Sequence, residues 1–412
     1  MLLRARSVLP ISRPAISDGA VLISGERVAA VGSWADLSRL HAGEVQDLGE
    51  VILLPGLVNA HCHLDYTDMA GQPPPRRFPD WIKGILARKA ASSYADYARA
   101  WLRGAAMLLR NGVTSVGDIE AVPELLPEVW SSTPMRVLSF LELTCVKSRR
   151  QPEAIVQEAS DKISALPSSR HAAALSPHAL YSTTPDLLRL VARAAEASRL
   201  PVAMHLAESI DEFEMFRHAR GPLFEWLNPQ RDMSDCGHAT PVQLAAACGL
   251  FNERFLAIHA NYLEPGDIAT LARARAQVVH CPRSHAYFGH QPFPYETLVA
   301  QGINVSLGTD SLASVLPERP PGPELNLFTE MQTFAAAHPS VPPSEILELA
   351  TINAARALGW NGKVGQIAEG SLADLIAVPA RDHVKSPEEQ VLHYAGPLAA
   401  VMIGGQWMPA GS

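Results

Sequence analysis

Eight short apolar runs separated by helix-length segments constrain this chain more than any other feature. They fall at 56–63, 113–118, 136–143, 172–177, 201–206, 255–260, 276–281 and 303–309, and strands alternating with helices are the mark of repeated βα units. Their number predicts a (β/α)₈ TIM barrel, which absorbs some 250 residues as one unit. The clearest helix precedes the second run. There YADYARAWLRGAAMLLRNG places Trp101, Leu102, Ala105, Leu108 and Leu109 on one face and stops at Gly112, a residue suited to the turn after a helix.

The chain ends read differently. DGAVLISGERVAAVGSW near the start is two apolar runs joined by a turn at SGER, a β-hairpin signal, and GQIAEGSLADLIAVPA with LAAVMIGGQWM near the end has the same β-branched, glycine-punctuated texture. Both ends are expected to be small sheets. Two proline-rich and charged stretches, one within 64–92 and the other VLPERPPGPELN after the eighth run, are long for connections and belong around the mouth of a site.

Composition narrows the function classes. The 412 residues carry 34 basic and 42 acidic side chains, a formal charge of −8, with no block of like charge, so neither nucleic acid nor an anionic membrane is an expected partner. Five scattered cysteines without a C-x-x-C pair (Cys62, Cys145, Cys236, Cys248 and Cys281) form no disulfide framework. No stretch approaches a membrane span. These features fit a soluble protein of a reducing compartment, the cytoplasm.

Chemistry concentrates at the strand ends. In LPGLVNAHCHLD, strand alternation puts His61 and His63 on one face and Cys62 on the other. His178 follows the fourth run, His205 ends the fifth, His259 lies on the sixth and Asp310 follows the eighth. A barrel gathers all of these at one face. Each alone has an ordinary explanation as a packed histidine or a capping carboxylate, but their joint placement does not.

With PGLVNAHCHLD, SPHALYS, HLAES, LAIHANYL, VVHCPRS, LGTDSLAS and the closing GQIAEGSLADLIAV in this order, the chain closely resembles the amidohydrolase superfamily, in its cytosine-deaminase-like branch with chlorohydrolases and deaminases of aminated heterocycles. The resemblance implies a barrel over about 55–364 and a small β-sandwich domain assembled from 1–54 and 365–412. It also implies one divalent metal ion, most often Zn²⁺ and sometimes Fe²⁺, held by His61, His63, His205 and Asp310. AAALSPHAL at the fourth strand offers no lysine to bridge a second ion.

Such an ion lowers the pKa of bound water toward ~7, for attack on an amidine-like ring carbon. The resemblance makes Glu208 the proton shuttle to the ring nitrogen, Asp310 the acceptor of the remaining proton and His259 the hydrogen-bonding partner of the developing centre. His178 is expected to contact substrate. His285, where many relatives carry asparagine, is expected to read a ring substituent or a ribose, and Trp81 to stack on a flat ring beside Phe78. Arg76, Arg77 and Arg283 are candidates for a substrate carboxylate, while His280 reads as a buried packing residue.

The implied reaction is hydrolytic deamination of a small heterocycle, a nucleobase or a 5′-modified adenosine such as S-adenosylhomocysteine, methylthioadenosine or aminodeoxyfutalosine. Alternatives are displacement of chloride or alkylamine from a triazine, opening of a cyclic amide, or a barrel that has become a non-catalytic scaffold. A homodimer is the expected assembly.

Overall fold

The computed structural model describes residues 1–75, 77–146, 150–167, 170–318, 322–381 and 385–409. Arg76, part of the second proline-rich stretch and the last three residues of the chain lie outside these. Sixteen strands are present among the described residues. Those of the first segment are β1 Leu2–Val8, β2 Ile16–Ser24, β3 Arg27–Ser33, β4 Val45–Asp47 and β5 Val51–Pro55. The next eight are β6 Leu57–Cys62, β7 Val113–Glu120, β8 Arg136–Leu143, β9 Ala172–Pro177, β10 Val202–Leu206, β11 Phe255–His259, β12 Gln277–His280 and β13 Val305–Leu307. The last are β14 Leu375–Pro379, β15 Ala400–Ile403 and β16 Gln406–Trp407.

Strands β6 to β13 form one parallel sheet in sequential order, so every expected run is a barrel strand. Most are buried along their whole length, which is why they read as continuous apolar runs rather than as alternation. The sheet closes between β13 and β6, where Asp310 N donates to the His61 carbonyl (3.1 Å) and the Asn59 amide grips Thr309 through Oδ1 and Nδ2 (3.1 and 2.8 Å).

Closure requires glycine at 308. A Cβ there would lie 2.8 Å from the His61 carbonyl oxygen and 2.9 Å from His61 Cβ. Gly308→Ala is therefore expected to cost about 1–3 kcal/mol through overpacking against backbone that has nowhere to go. Urea denaturation of wild type and variant measures it, and equal midpoints would mean that the seam relaxes freely.

Simple alternation does not account for β6. Val58 and Ala60 pack inside the barrel with Leu138, Phe140 and Ile258, yet Cys62 packs outside with Leu64 and Trp101. The register explains the switch: Asn59 pairs with Val116 and Cys62 with Asp118, three residues advancing against two. This bulge re-aims the strand and turns His61 and His63 toward the mouth.

The helix Tyr94–Arg110 begins at a Ser93/Asp96 capping box and buries Trp101, Ala105, Leu108 and Leu109 as the pattern predicted, with Leu102 half-buried. Gly112 follows at φ +80°. The ends of the chain meet in one mixed sheet of order β16-β15-β14-β5-β1-β2-β3, with β4 also on β1. In it β14 runs antiparallel to β5 with Ile376 opposite Leu54, and β2 and β3 form the expected hairpin. Leu3, Val21, Leu53, Leu375 and Met402 share its separate core. A buried ion pair, Arg136 Nε to Asp374 Oδ2 at 2.6 Å, ties this sheet to the start of β8. No helix among the described residues is long and apolar enough to cross a membrane.

Candidate active site and metal centre

The C-terminal ends of the barrel strands bring His61, His63, His205, His259, Glu208 and Asp310 together. Ligand atoms of His61, His63 and His205 lie within 4.8 Å of one another, and so do those of His61, His259 and Asp310. Individual distances are 3.1 Å for His63 Nε2 to His205 Nε2, 3.4 Å for His61 Nε2 to Asp310 Oδ1 and 3.7 Å for His63 Nε2 to Asp310 Oδ1. His259 Nε2 stands 3.6 Å from Glu208 Oε1. All six residues are buried.

The backbone at these strand ends is strained in a concerted way. Ala207, His259, Ala260 and Asp310 have φ of +51°, +73°, +48° and +52°, a left-handed region that costs non-glycine residues of order 1–3 kcal/mol. Neighbouring strands hold them there: Ala260 N donates to the Leu206 carbonyl, and Asn261 N and Tyr262 N to that of Ala207. These turns flank or contain His205, Glu208, His259 and Asp310, residues that converge at the site.

The donor set fits a divalent cation. His205 Nδ1 sits 3.0 Å from the His178 carbonyl, a contact only a donor makes, so its Nε2 faces His63 Nε2 as a lone pair. Two ring nitrogens 3.1 Å apart are at ease only with a shared proton or a shared ion between them. His61 Nδ1 and Nε2 and His259 Nε2 are buried without a hydrogen bond among the described residues, a costly condition that a ligand relieves. Burial, reinforced by its histidine neighbours, pushes His63 down to about 3, and burial does the same to His259. Neutral imidazoles are the form that binds metal. Burial opposes ionisation of Asp310, yet the adjacent His61, His259 and His63 outweigh it and hold the carboxyl well below its ordinary range. Ser314 Oγ donates to Asp310 Oδ2 at 2.8 Å, leaving Oδ1 for the histidines.

Glu208 is the converse case. Burial, then the charges of Asp310 and Glu212, push it well above the usual carboxylate range, so its environment lets it take a proton readily. Its backbone is pinned at both ends, N donating to Glu212 Oε2 (2.8 Å) and the carbonyl accepting from Asn261 Nδ2 (2.9 Å).

A cavity of about 260 Å³ opens onto His63, His205, Glu208, His259 and Asp310. Its lining also includes apolar Trp81, Ile82, Ile85, Leu86, Trp226 and Leu227 and polar Tyr66, Lys89, Glu142, Thr144, His178 and Ser182. The helix Phe78–Ala91, in the first proline-rich loop, supplies four of the apolar ones. Trp81 hangs from the Ala313 carbonyl by Nε1 (3.1 Å) and stacks on Phe78 at 5.8 Å.

Other candidates sit elsewhere. His285 does not line the cavity: its Nε2 pairs with the Gln291 carbonyl at 2.8 Å in the helix Pro282–Phe288. Arg283 is buried and engaged by Glu318 (2.8 Å) and the Glu324 carbonyl (2.7 Å), and Arg77 is exposed. Sequence reasoning missed Glu142, Lys89 and Tyr66. A glutamate inside the apolar run RVLSFLEL was the available signal for the first.

The family model for the amidohydrolase family matches residues 52–408, and one for a bacterial imidazolonepropionase-like composite domain matches residues 19–43. The chain is 29% identical to 5-methylthioadenosine/S-adenosylhomocysteine deaminase of Nitratidesulfovibrio vulgaris (strain Hildenborough) over 390 residues, 92% of this chain and 81% of the relative. It is 30% identical to aminodeoxyfutalosine deaminase of Deinococcus radiodurans over 354 residues, 83% of this chain and 82% of the relative. A zinc-bound adenosine deaminase of Xanthomonas campestris superposes with a TM-score of 0.85 at 24% identity, covering 98% of this chain and 92% of that one.

Proposed function

The chain belongs to the amidohydrolase family, and on that premise we propose that it is a metal-dependent hydrolytic deaminase of an aminated heterocycle, with 5′-modified adenosine-type nucleosides the favoured substrates. One observation carries the reading: a carboxyl primed to carry protons, Glu208, stands 3.6 Å from His259 and beside a cluster of side chains able to hold a metal ion, in a cavity whose lining includes Trp81, Ile82, Ile85 and Trp226. The names of the relatives support the nucleoside class.

His61, His63, His205 and Asp310 would hold the ion, which we take to be zinc, with iron(II) the alternative; three imidazoles and a carboxylate suit either. When bound, it supplies Lewis acidity that makes water nucleophilic at neutral pH. The side chains do the rest. Glu208 takes a proton from the attacking water and delivers it to the ring nitrogen next to the reacting carbon, which makes that carbon electrophilic. His259 hydrogen-bonds the oxygen as the carbon becomes tetrahedral. Asp310, oriented by Ser314, accepts the second proton and passes it to the amine. The C–N bond breaks, ammonia leaves and a ring carbonyl remains.

Trp81 stacks on the ring, and His178 contacts the substrate away from the reacting carbon. Residues 55–364 then act as the catalytic unit, and 1–54 with 365–412 as the composite domain beside it.

Ammonia release by metal-loaded protein over guanine, cytosine, adenosine, S-adenosylhomocysteine, methylthioadenosine and aminodeoxyfutalosine tests this. A 5′-modified adenosine is expected to be turned over with kcat/KM above about 10⁴ M⁻¹s⁻¹. Silence throughout, with chloride or alkylamine released from a triazine instead, would replace the leaving group and refute deamination.

A further inference from the structure

The polar part of the cavity lining carries a feature that the reaction itself does not use. Glu142, one residue from the end of β8, forms an ion pair with Lys89 (Oε1 to Nζ, 3.0 Å), and Lys89 also donates to the Tyr66 hydroxyl at 3.0 Å. The pair is half-buried, the Lys89 and Glu142 side chains 22% and 9% exposed, and both residues line the cavity.

Register places it. Glu142 lies opposite Ser176 on β9, and His178 N donates to the Leu143 carbonyl (3.1 Å), so Glu142, Ser176 and His178 point to one face and the first and last line the cavity together. His178 Nδ1 meets Ser182 Oγ at 2.7 Å, which holds the ring beside Glu142. Lys89 engages Oε1 of Glu142 and Oε2 has no hydrogen bond among the described residues, so the two oxygens of one carboxylate offer adjacent acceptors to the cavity.

From this geometry we infer that Glu142, positioned by Lys89 and flanked by His178, is a specificity-determining residue that accepts hydrogen bonds from a vicinal diol, the 2′- and 3′-hydroxyls of a ribose. The inference rests on the nucleoside reading above. The chemistry selects the partner. Lys89 and Glu142 offset each other's charge, so this part of the lining has no net charge with which to select an anion or a cation. A neutral group with two adjacent O–H donors matches two adjacent acceptors, and charge-assisted bonds of this kind discriminate strongly against an analogue that lacks the donors.

The test is calorimetric binding of inosine and 2′,3′-dideoxyinosine, which share the deaminated ring and have no amine to lose, to the metal-loaded protein. Inosine is expected to bind about ten- to a hundredfold more tightly. Glu142→Gln should remove most of that ratio while leaving the affinity for the dideoxy ligand nearly unchanged. Should the lone Lys89 charge prevent folding of that variant, Glu142→Gln/Lys89→Met removes both charges and is expected to flatten the ratio in the same way. Equal affinity of the wild type for both ligands, affinity for neither, or an undiminished ratio in a folded variant would each overturn the assignment. Ammonia release from adenosine-type substrates, measured separately, shows whether the deaminase reading fails with it or survives it.

Discussion

Glu208→Gln is expected to lower kcat by about 10²–10⁴-fold while the protein keeps its full complement of metal. Glutamine has the same shape, and the backbone contacts that fix position 208, to Glu212 and Asn261, do not involve the side chain, so the fold and the His61, His63, His205 and Asp310 constellation should be undisturbed. What disappears is the capacity to accept a proton from water and give it to the ring nitrogen. Elemental analysis of the purified variant beside a coupled ammonia assay separates the two properties. Metal retained with turnover lost assigns Glu208 the proton transfer, whereas near-wild-type turnover would move that role to another group, with His259, 3.6 Å away, the next to examine.

The barrel was legible because parallel strands buried on both faces must be apolar throughout, and all eight runs survive as β6–β13 with their ends within two residues, the last shortened to Val305–Leu307. The meeting of the site residues was legible for the same reason: once eight strands close, their C-terminal ends have one place to go. The aim of the side chains was not. His61 and His63 share a face by alternation, but they face the mouth only because a bulge in β6 turns the strand after Ala60, and a one-residue register shift leaves no mark in a hydrophobicity pattern. Likewise nothing in the letters announces that Ala207, His259, Ala260 and Asp310 adopt left-handed backbone, since none is a glycine. His285 was drawn toward the substrate by its motif, yet the Gln291 carbonyl holds its Nε2. Glu142 escaped because a polar residue in a buried strand declares only that it has a partner, and Lys89 lies 53 positions away.

Removing the carboxylate from the metal centre should have the broadest effect of any single change, and the left-handed conformation at 310 decides which change to make. At φ +52°, asparagine is tolerated almost as well as aspartate, while alanine would add backbone strain that confuses loss of function with loss of fold. Asp310→Asn keeps the acceptor for Ser314 Oγ, now 2.8 Å from Oδ2, and removes the negative charge that His61, His63 and His259 face. Metal content is expected to fall well below one ion per chain and turnover by about 10³-fold or more, since both the ligand and the acceptor of the second proton are lost. Stability provides an independent readout. An ion bound only by the folded state adds about 4 kcal/mol when present at a thousand times its dissociation constant, so zinc added to chelator-stripped wild type should raise Tm by several degrees and leave Asp310→Asn almost unmoved. If stripped wild type showed no shift, and His63→Ala behaved like it in every assay, the barrel would be a scaffold that has kept its histidines for packing alone. The unpaired ring nitrogens of His61 and His259 argue against that outcome, because packing histidines find partners for both nitrogens and these do not.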